Sequence, residues 1–189
     1  MLLEQAQIPF VVISQNADEH SVDHQRPIEM VTAAIARLKM DHVQLPQARH
    51  DGQVIYVLTA DTLSLNSQGQ LSGKPRDRNH AIEMLIAARA GMRTGTAFCL
   101  EKKEWSKGGW TMLKRIEQYV ESSYEFIVPD EWIDRYLEES FGINASGAIA
   151  IEEFGLPFLK SVNGSYTSIV GLPLFEVRQA LEALGFFAQ

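Results

Sequence analysis

Apolar and polar positions along the chain follow two rhythms, one of period two and one of three to four. The strongest short run is Val54-Ile55-Tyr56-Val57-Leu58, bounded upstream by Asp51-Gly52. Four of its five side chains are β-branched or aromatic. That predicts a strand buried on both faces, in a sheet covered by helices. Ile8 to Ile13, Thr94 to Trp105, Tyr119 to Val128 and Leu156 to Val162 predict further strands. The opening residues to Ala6 read as the end of a helix. Pro27 suits a helix first turn, and Ile28, Val31, Ile35 and Leu38 then place one apolar face on a helix reaching about Met40. Asp77 caps a second helix with Ala81, Met84, Leu85 and Ala88 on one stripe, ended by Gly91. Pro129-Asp130 opens a third with Trp132, Ile133, Tyr136 and Leu137 inward, and Pro173 opens a fourth that stops at Gly185. Ser106 to Gly109 and Asn163-Gly164 are turns. Strands and helices alternate irregularly, so the class is α/β with a mixed sheet and flanking helices.

Composition narrows the function classes. The 189 residues allow one large domain or two small ones. A formal net charge of −7 argues against sequence-independent binding of a nucleic-acid polymer, which needs a broad basic surface. It leaves room for one anionic ligand held by local cations. The single cysteine, Cys99, has no intrachain partner, which favours a reducing compartment. No apolar run approaches the ~20 residues that span a bilayer, and the N-terminus lacks a secretory pattern. A soluble cytoplasmic protein is expected.

The candidate chemistry gathers after the organising strand. Asp61 follows it within Ala60-Asp61-Thr62, and Gly73-Lys74-Pro75 follows in turn. Aspartate after a strand is ordinarily a turn or cap residue. Lys74, with Arg76 and Arg78, is ordinarily part of a solvated basic face. Together a carboxylate and an ammonium suit phosphate chemistry, where positioning and charge neutralisation do most of the work, often with a divalent metal. Asp18, Glu19, His20, Asp23 and His24 form an acidic, histidine-containing cluster without an apolar stripe. A solvated loop is its ordinary reading, with Glu19 the member most worth following. Cys99 lies among apolar neighbours and reads as core. Trp105 and Trp110 flank the Gly-Gly turn as a cross-strand pair. Glu152-Glu153 is ordinarily a solvated pair, made more interesting by the small apolar run before it.

These residues, taken together, resemble the Maf family of nucleoside triphosphate pyrophosphatases, a family linked to septum formation and nucleotide house-cleaning. The resemblance rests on Leu2-Leu3-Glu4-Gln5 with Ile8 to Val12, on Asp18-Glu19, and above all on Ala60-Asp61-Thr62 with Gly73-Lys74-Pro75. Downstream it includes Thr94-Gly95, Ser146-Gly147-Ala148, Asn163 to Tyr166 and Val170 to Leu174, so it spans essentially the whole chain. It implies an elongated, ITPase-like α/β fold, one domain over 1–189 with two lobes and a central cleft, in a homodimer. The implied reaction is hydrolysis of a nucleoside triphosphate to monophosphate and pyrophosphate with a divalent cation such as Mg²⁺. Asp61 is the implied catalytic base, with Asp61 and Glu19 the implied metal ligands. Lys74 is the implied triphosphate contact, and Glu19 a substrate-binding cleft carboxylate on either the metal or the base side. Thr62 and Glu152 fall at positions the resemblance associates with base selection.

The departures from the family pattern carry their own expectations. The family's opening strand and Ser/Arg-rich phosphate loop have no counterpart here. Either the chain start is internal to a longer gene product or the loop has been lost. The family's helix lysine falls at Leu38, and its neighbours Arg37 and Lys39 point roughly 100° away on a helix, so neither is expected to replace it. An Asp-Lys pair is replaced by Asn144-Ala145 and a glutamine by Glu152. Thr62 is typical of members acting on dTTP and UTP, whereas a glutamate at 152 is typical of members preferring a methylated guanine nucleotide. Each lost contact to phosphate removes about 1.5–3 kcal/mol as a charge-assisted hydrogen bond. Weakened activity is therefore expected, and the alternative is a degenerate Maf-fold protein that binds nucleotide or regulates without turnover.

Overall fold

The computed structural model describes residues 2–188. It is an α/β structure with a five-stranded sheet: β1 (Val54–Leu65), β2 (Leu71–Ser72), β3 (Met92–Ser106), β4 (Gly109–Phe126) and β5 (Leu159–Asn163), in the order β2-β1-β3-β4-β5. The helices are α1 (Leu2–Gln5), α2 (Ile28–Asp41), α3 (Arg78–Ala88), α4 (Asp130–Glu139), α5 (Tyr166–Val170) and α6 (Leu174–Ala183).

Pairing is antiparallel rather than mixed, and the two longest strands, β3 and β4, are joined by a tight reversal. β1 pairs antiparallel with β2, and β4 with β5. The β3–β4 hairpin turns on Lys107 and Gly108, both with positive φ (53° and 80°), as a two-residue type I′ turn requires. Trp105 N donates to Gln53 O at one end of β3, and the Ser64 and Thr94 hydroxyls meet at 2.8 Å towards the other. That register makes β1 and β3 antiparallel too. The expected cross-strand pair is present, with Trp105 and Trp110 edge-to-face at 5.3 Å.

Three further sequence expectations are corrected. Ile8 to Ile13 is not a strand: residues 10–13 donate no backbone hydrogen bond among the described residues, and Val11 and Val12 stand 81% and 77% exposed. The apolar run had the composition of a strand but has no partner there. β1 continues past Leu58 to Leu65, so Asp61 lies within the strand rather than beyond its end. Trp132 is 38% exposed rather than inward, with its edge on Phe158 and the Arg135 guanidinium over its face.

The chain divides into two compact units. The first comprises the chain up to Asp61, Thr96–Tyr119 and the chain from Gly171. Strand alternation builds it. Tyr56, Leu58, Phe98 and Leu100 pack with Val177, Leu181 and Leu184 of α6 and its end. The alternate positions Val57 and Cys99 pack with Met40 of α2. A strand covered on both faces was the expectation for Val54 to Leu58, and here two helices supply the cover.

The second unit comprises Thr62–Gly95 and Val120–Val170. Its core joins Ala81, Leu85 and Ala88 of α3 to Ile133, Tyr136 and Leu137 of α4, around Tyr124, Phe126 and Phe158. The Asp77 carboxylate caps α3 by accepting from His80 N at 2.9 Å, as expected. Phe158 meets Phe126, Tyr136, Trp132 and Phe154 edge-on. The fully buried Tyr136 hydroxyl accepts from Ala150 N at 2.7 Å and lies 3.2 Å from Ala148 O, which pins the irregular 145–151 segment. Gly155 closes on the same segment, since a Cβ there would lie 1.8 Å from Ala150 O.

Tyr136→Phe keeps the ring but orphans the Ala150 amide. It is expected to destabilise the fold by about 1–3 kcal/mol, read from urea denaturation. A loss below about 0.5 kcal/mol would show that the hydroxyl does not pin this segment.

Candidate active site

Asp61 faces α2 for a periodic reason. Val57, Thr59 and Asp61 are alternate residues of β1 and share a face. On α2, Ala36 and Lys39 are three residues apart, a rise of about 4.5 Å, beside a two-residue strand step of about 6.7 Å. The two elements therefore meet twice. Thr59 Oγ1 donates to Ala36 O at 2.7 Å, and Lys39 Nζ donates to Asp61 Oδ1 at 2.8 Å. The same ammonium lies 3.3 Å from Glu19 Oε1 and 3.4 Å from Ala60 O. The Asp61 and Lys39 side chains are 11% and 18% exposed, while Glu19 is open at 41%.

Lys39 is the residue that sequence reasoning passed over. With Leu38 taken as the inward position, its neighbours point away. The buried face instead carries Val31, Thr32, Ile35, Ala36 and Met40, so the stripe is rotated towards Thr32 and Ala36 and Lys39 lies on it. Small Ala36 and hydroxylated Thr32 carried less weight than Ile28 and Leu38, yet close packing of α2 on β1 needs small residues there. Lys39, not Leu38 or Arg37, meets Asp61.

Glu19 sits in a short 3-10 turn, Glu19–Ser21, capped by Asp18, whose side chain accepts from His20 N at 3.2 Å. The rest of the acidic, histidine-containing segment is a loop, as its ordinary reading holds. Among the described residues no group of three or more His, Cys, Asp or Glu side chains is arranged to hold a metal. Cys99 is core, 1% exposed, and burial pushes its thiol up to about 12.

The remaining predicted site residues belong to the second unit. Thr62 and Glu152 line one recess of about 420 Å³, with Ser64, Tyr124, Phe141 and Ser146 among its walls. Burial raises the Tyr124 hydroxyl, and hydrogen bonds with Thr94 and Ser64 oppose that shift. Phe141 stands 68% exposed on this wall. Burial, then the Glu152 charge, raises Tyr166. Lys74 is exposed on the segment after β2, and the neighbouring Gly73 O accepts from Gly147 N at 2.9 Å. That bond ties the lysine's segment to the residues beside Ser146 in the recess wall. Chemically, the first unit offers a largely buried carboxylate paired with an ammonium at 2.8 Å. The second offers an apolar and hydroxyl-lined recess with two carboxylates, Glu152 and Glu153, the composition of a small-molecule site.

Removing one partner of a largely buried pair leaves a charge uncompensated, whereas an exposed pair matters little. Lys39→Met is expected to destabilise by about 3 kcal/mol, and Glu19→Gln by less than about 1 kcal/mol, in guanidinium denaturation. Equal losses would contradict the assigned burial. Cys99 in the folded protein is expected to resist alkylation at pH 8 and to react once unfolded, since thiolate is the reactive form. Prompt alkylation of the native chain would contradict its core placement.

Among the described residues no helix is long and apolar enough to cross a membrane. A family model described as "Maf-like protein" matches residues 1–184. A dTTP/UTP pyrophosphatase of Caldicellulosiruptor saccharolyticus is 30% identical over 98% of this chain and 89% of its own. One of Symbiobacterium thermophilum is 31% identical over 98% of this chain and 88% of its own. One of Shewanella denitrificans is 32% identical over 95% and 85%. With a family-wide match over nearly every residue and relatives matched along most of their length, this chain belongs to the Maf-like protein family.

Proposed function

We propose that the protein hydrolyses nucleoside triphosphates, pyrimidine ones foremost, to the monophosphate and pyrophosphate. The observation that carries this reading is the Asp61–Lys39 pair at 2.8 Å with Glu19 beside it. Relatives named dTTP/UTP pyrophosphatases support the substrate class.

Asp61 is the general base. Its carboxylate takes a proton from a water molecule whose oxygen attacks the α-phosphorus. The new P–O bond forms as the α–β bridging bond breaks, and pyrophosphate leaves with the bonding electrons. Lys39 orients the Asp61 carboxylate through its 2.8 Å hydrogen bond to Oδ1. Lys74 neutralises triphosphate charge, and Thr62 and Glu152 contact the base from the recess they line. A divalent cation such as Mg²⁺ suits Asp61 and Glu19, because both carboxylates already converge on one positive group, and Mg²⁺ is commonly held by one or two carboxylates plus substrate phosphates. Bound there, it would supply charge neutralisation to the phosphates. A cytoplasmic homodimer is the working form we favour. The buried single thiol and the half-exposed Met112 and Leu113 of β4 support it, and sedimentation at the mass of one chain would count against it.

The test is pyrophosphate release from dTTP, UTP and 7-methyl-GTP with Mg²⁺, by ion chromatography. Release from dTTP and UTP is expected, with solvent ¹⁸O appearing in the monophosphate. Asp61→Asn is expected to lower kcat by about 10²-fold or more, the scale of a lost general base. An Asp61→Asn protein as fast as the parent would end this reading. Glu152→Gln is expected to change the ratio of dTTP to 7-methyl-GTP turnover. An unchanged ratio would remove residue 152 from base selection.

A further inference from the structure

Behind Lys39, on the other side of α2, lies a network of charges that the proposed reaction does not use. Its root is Glu101 of β3, 0% exposed. A carboxylate this deep needs partners, and it has two: Arg115 Nε at 2.5 Å and the Lys103 ammonium. Burial is the largest influence on Arg115 and disfavours its charge, but the hydrogen bonds to Glu101 and Asp41 together with the surrounding negative charge exceed it and raise the guanidinium's pKa. Arg115 then reaches outward, to Asp41 Oδ1 at 3.1 Å and Glu117 Oε1 at 3.5 Å. Glu117 in turn takes a two-pronged bond from Arg37, Nε to Oε1 at 3.0 Å and Nη2 to Oε2 at 2.6 Å. The hydrogen bond from Arg37 holds the Glu117 carboxyl below its usual range.

The arrangement follows from strand parity. Cys99, Glu101 and Lys103 share one face of β3, and Arg115 and Glu117 share one face of β4. Cys99 packs with Met40, so this is the face that α2 covers. Arg37 and Asp41 stand two residues before and two after Lys39, about 200° round the helix from it. The last turns of α2 are thus gripped from both sides. Thr59 and Asp61 hold one flank through Ala36 O and Lys39. Arg115 and Glu117 hold the other through Asp41 and Arg37. The outer pairs are half exposed, with Arg37 at 49% and Glu117 at 29%. Pairs of that kind add little stability, yet a fork-to-fork guanidinium–carboxylate bond fixes direction.

We infer that the Glu101–Arg115–Glu117–Arg37 network is a positioning device for Lys39. It sets the roll of α2 so that the ammonium meets Asp61. Its catalytic consequence rests on the proposed roles of Lys39 and Asp61. Its structural content stands apart from them.

The experiment compares Glu117→Gln and Arg115→Lys with Tyr56→Phe, which loses a 3.2 Å bond to Leu184 O on the opposite face of the sheet. Two quantities are read in the full chain: the acetylation rate of Lys39 by a small amine-reactive ester, from peptide mass spectrometry, and kcat and KM for dTTP. Both network variants are expected to raise Lys39 acetylation about threefold and to lower kcat about tenfold, with KM within about twofold, since misplacements near 1 Å have effects of this order or larger. Tyr56→Phe is expected to move neither quantity. Unchanged Lys39 acetylation in both network variants overturns the inference whatever kcat does. So does an equal response in Tyr56→Phe, which would mark general loosening. Faster acetylation with unchanged kcat overturns the catalytic consequence if Lys39→Met is inactive. If Lys39→Met is as active as the parent, the proposed role of Lys39 falls and the positioning stands.

Discussion

A carboxylate that keeps only a tenth of its surface in water is costly to bury unless it is paired and hydrogen-bonded. At Asp61 the partner is Lys39, and the whole first unit is arranged so that the two meet. Two periods must come into step. Alternate residues of β1 face one way, and residues three to four apart on α2 face back. Val57 shares a core cluster with Met40, Thr59 meets Ala36 O and Asp61 meets Lys39, all from one face of β1. A slip of one residue in β1 would turn Asp61 to the face covered by α6 and bring Ala60 or Thr62 into its place. The apolar contacts therefore determine where the charge sits, and the ion pair adds direction to a position already chosen by packing.

The second unit solves a different problem, keeping an irregular segment in one shape. Residues 145–151 contribute no strand and only a single 3-10 turn, so their amides need partners from outside. The Tyr136 hydroxyl supplies one, and Gly73 O supplies another through Gly147 N. Phe158 packs edge-on against Tyr136 at 5.7 Å and holds the ring that carries the hydroxyl. The recess lined by Thr62 and Glu152 is a consequence of this rigid wall.

What the sequence disclosed and what it withheld divide along local and non-local lines. Asp77 before α3, Pro129 before α4, Pro173 before α6 and the Lys107-Gly108 turn are signals read within a few residues, and each marks a boundary in the structure. Ile8 to Ile13 had equal strand character, but a strand exists only where a ladder partner lies alongside, and that partner is set by the rest of the fold. Continuation of β1 through Asp61 to Leu65 was hidden for the related reason that its polar residues face partners distant in sequence: Lys39 for Asp61 and Thr94 for Ser64. Glu101, Lys103, Arg115 and Glu117 look like the solvated face of a hairpin, yet Glu101 is fully buried because α2 lies over them. Of the candidate site, Asp61, Thr62, Lys74, Glu19 and Glu152 are residues that the sequence singles out by type. Lys39 needed the roll of a helix, which its two small inward residues decide.

The acidic balance of the chain also bears on which ligands it can take. A net charge of −7 acts at long range, where salt screens it over about 8 Å at physiological ionic strength. A cation 3–4 Å from a ligand in a partly dry site acts unscreened, at about 4 kcal/mol per pair for an effective dielectric of 20. Local placement therefore outweighs the overall sum by the time a ligand is seated. Lys39 shows the same ranking inside the molecule, since one ammonium there is shared by Asp61 and Glu19 in a chain with more acids than bases. An acidic protein binds an anion when its few interior cations are aimed. In the first unit, the aim of Lys39 is set by the packing of α2 on β1.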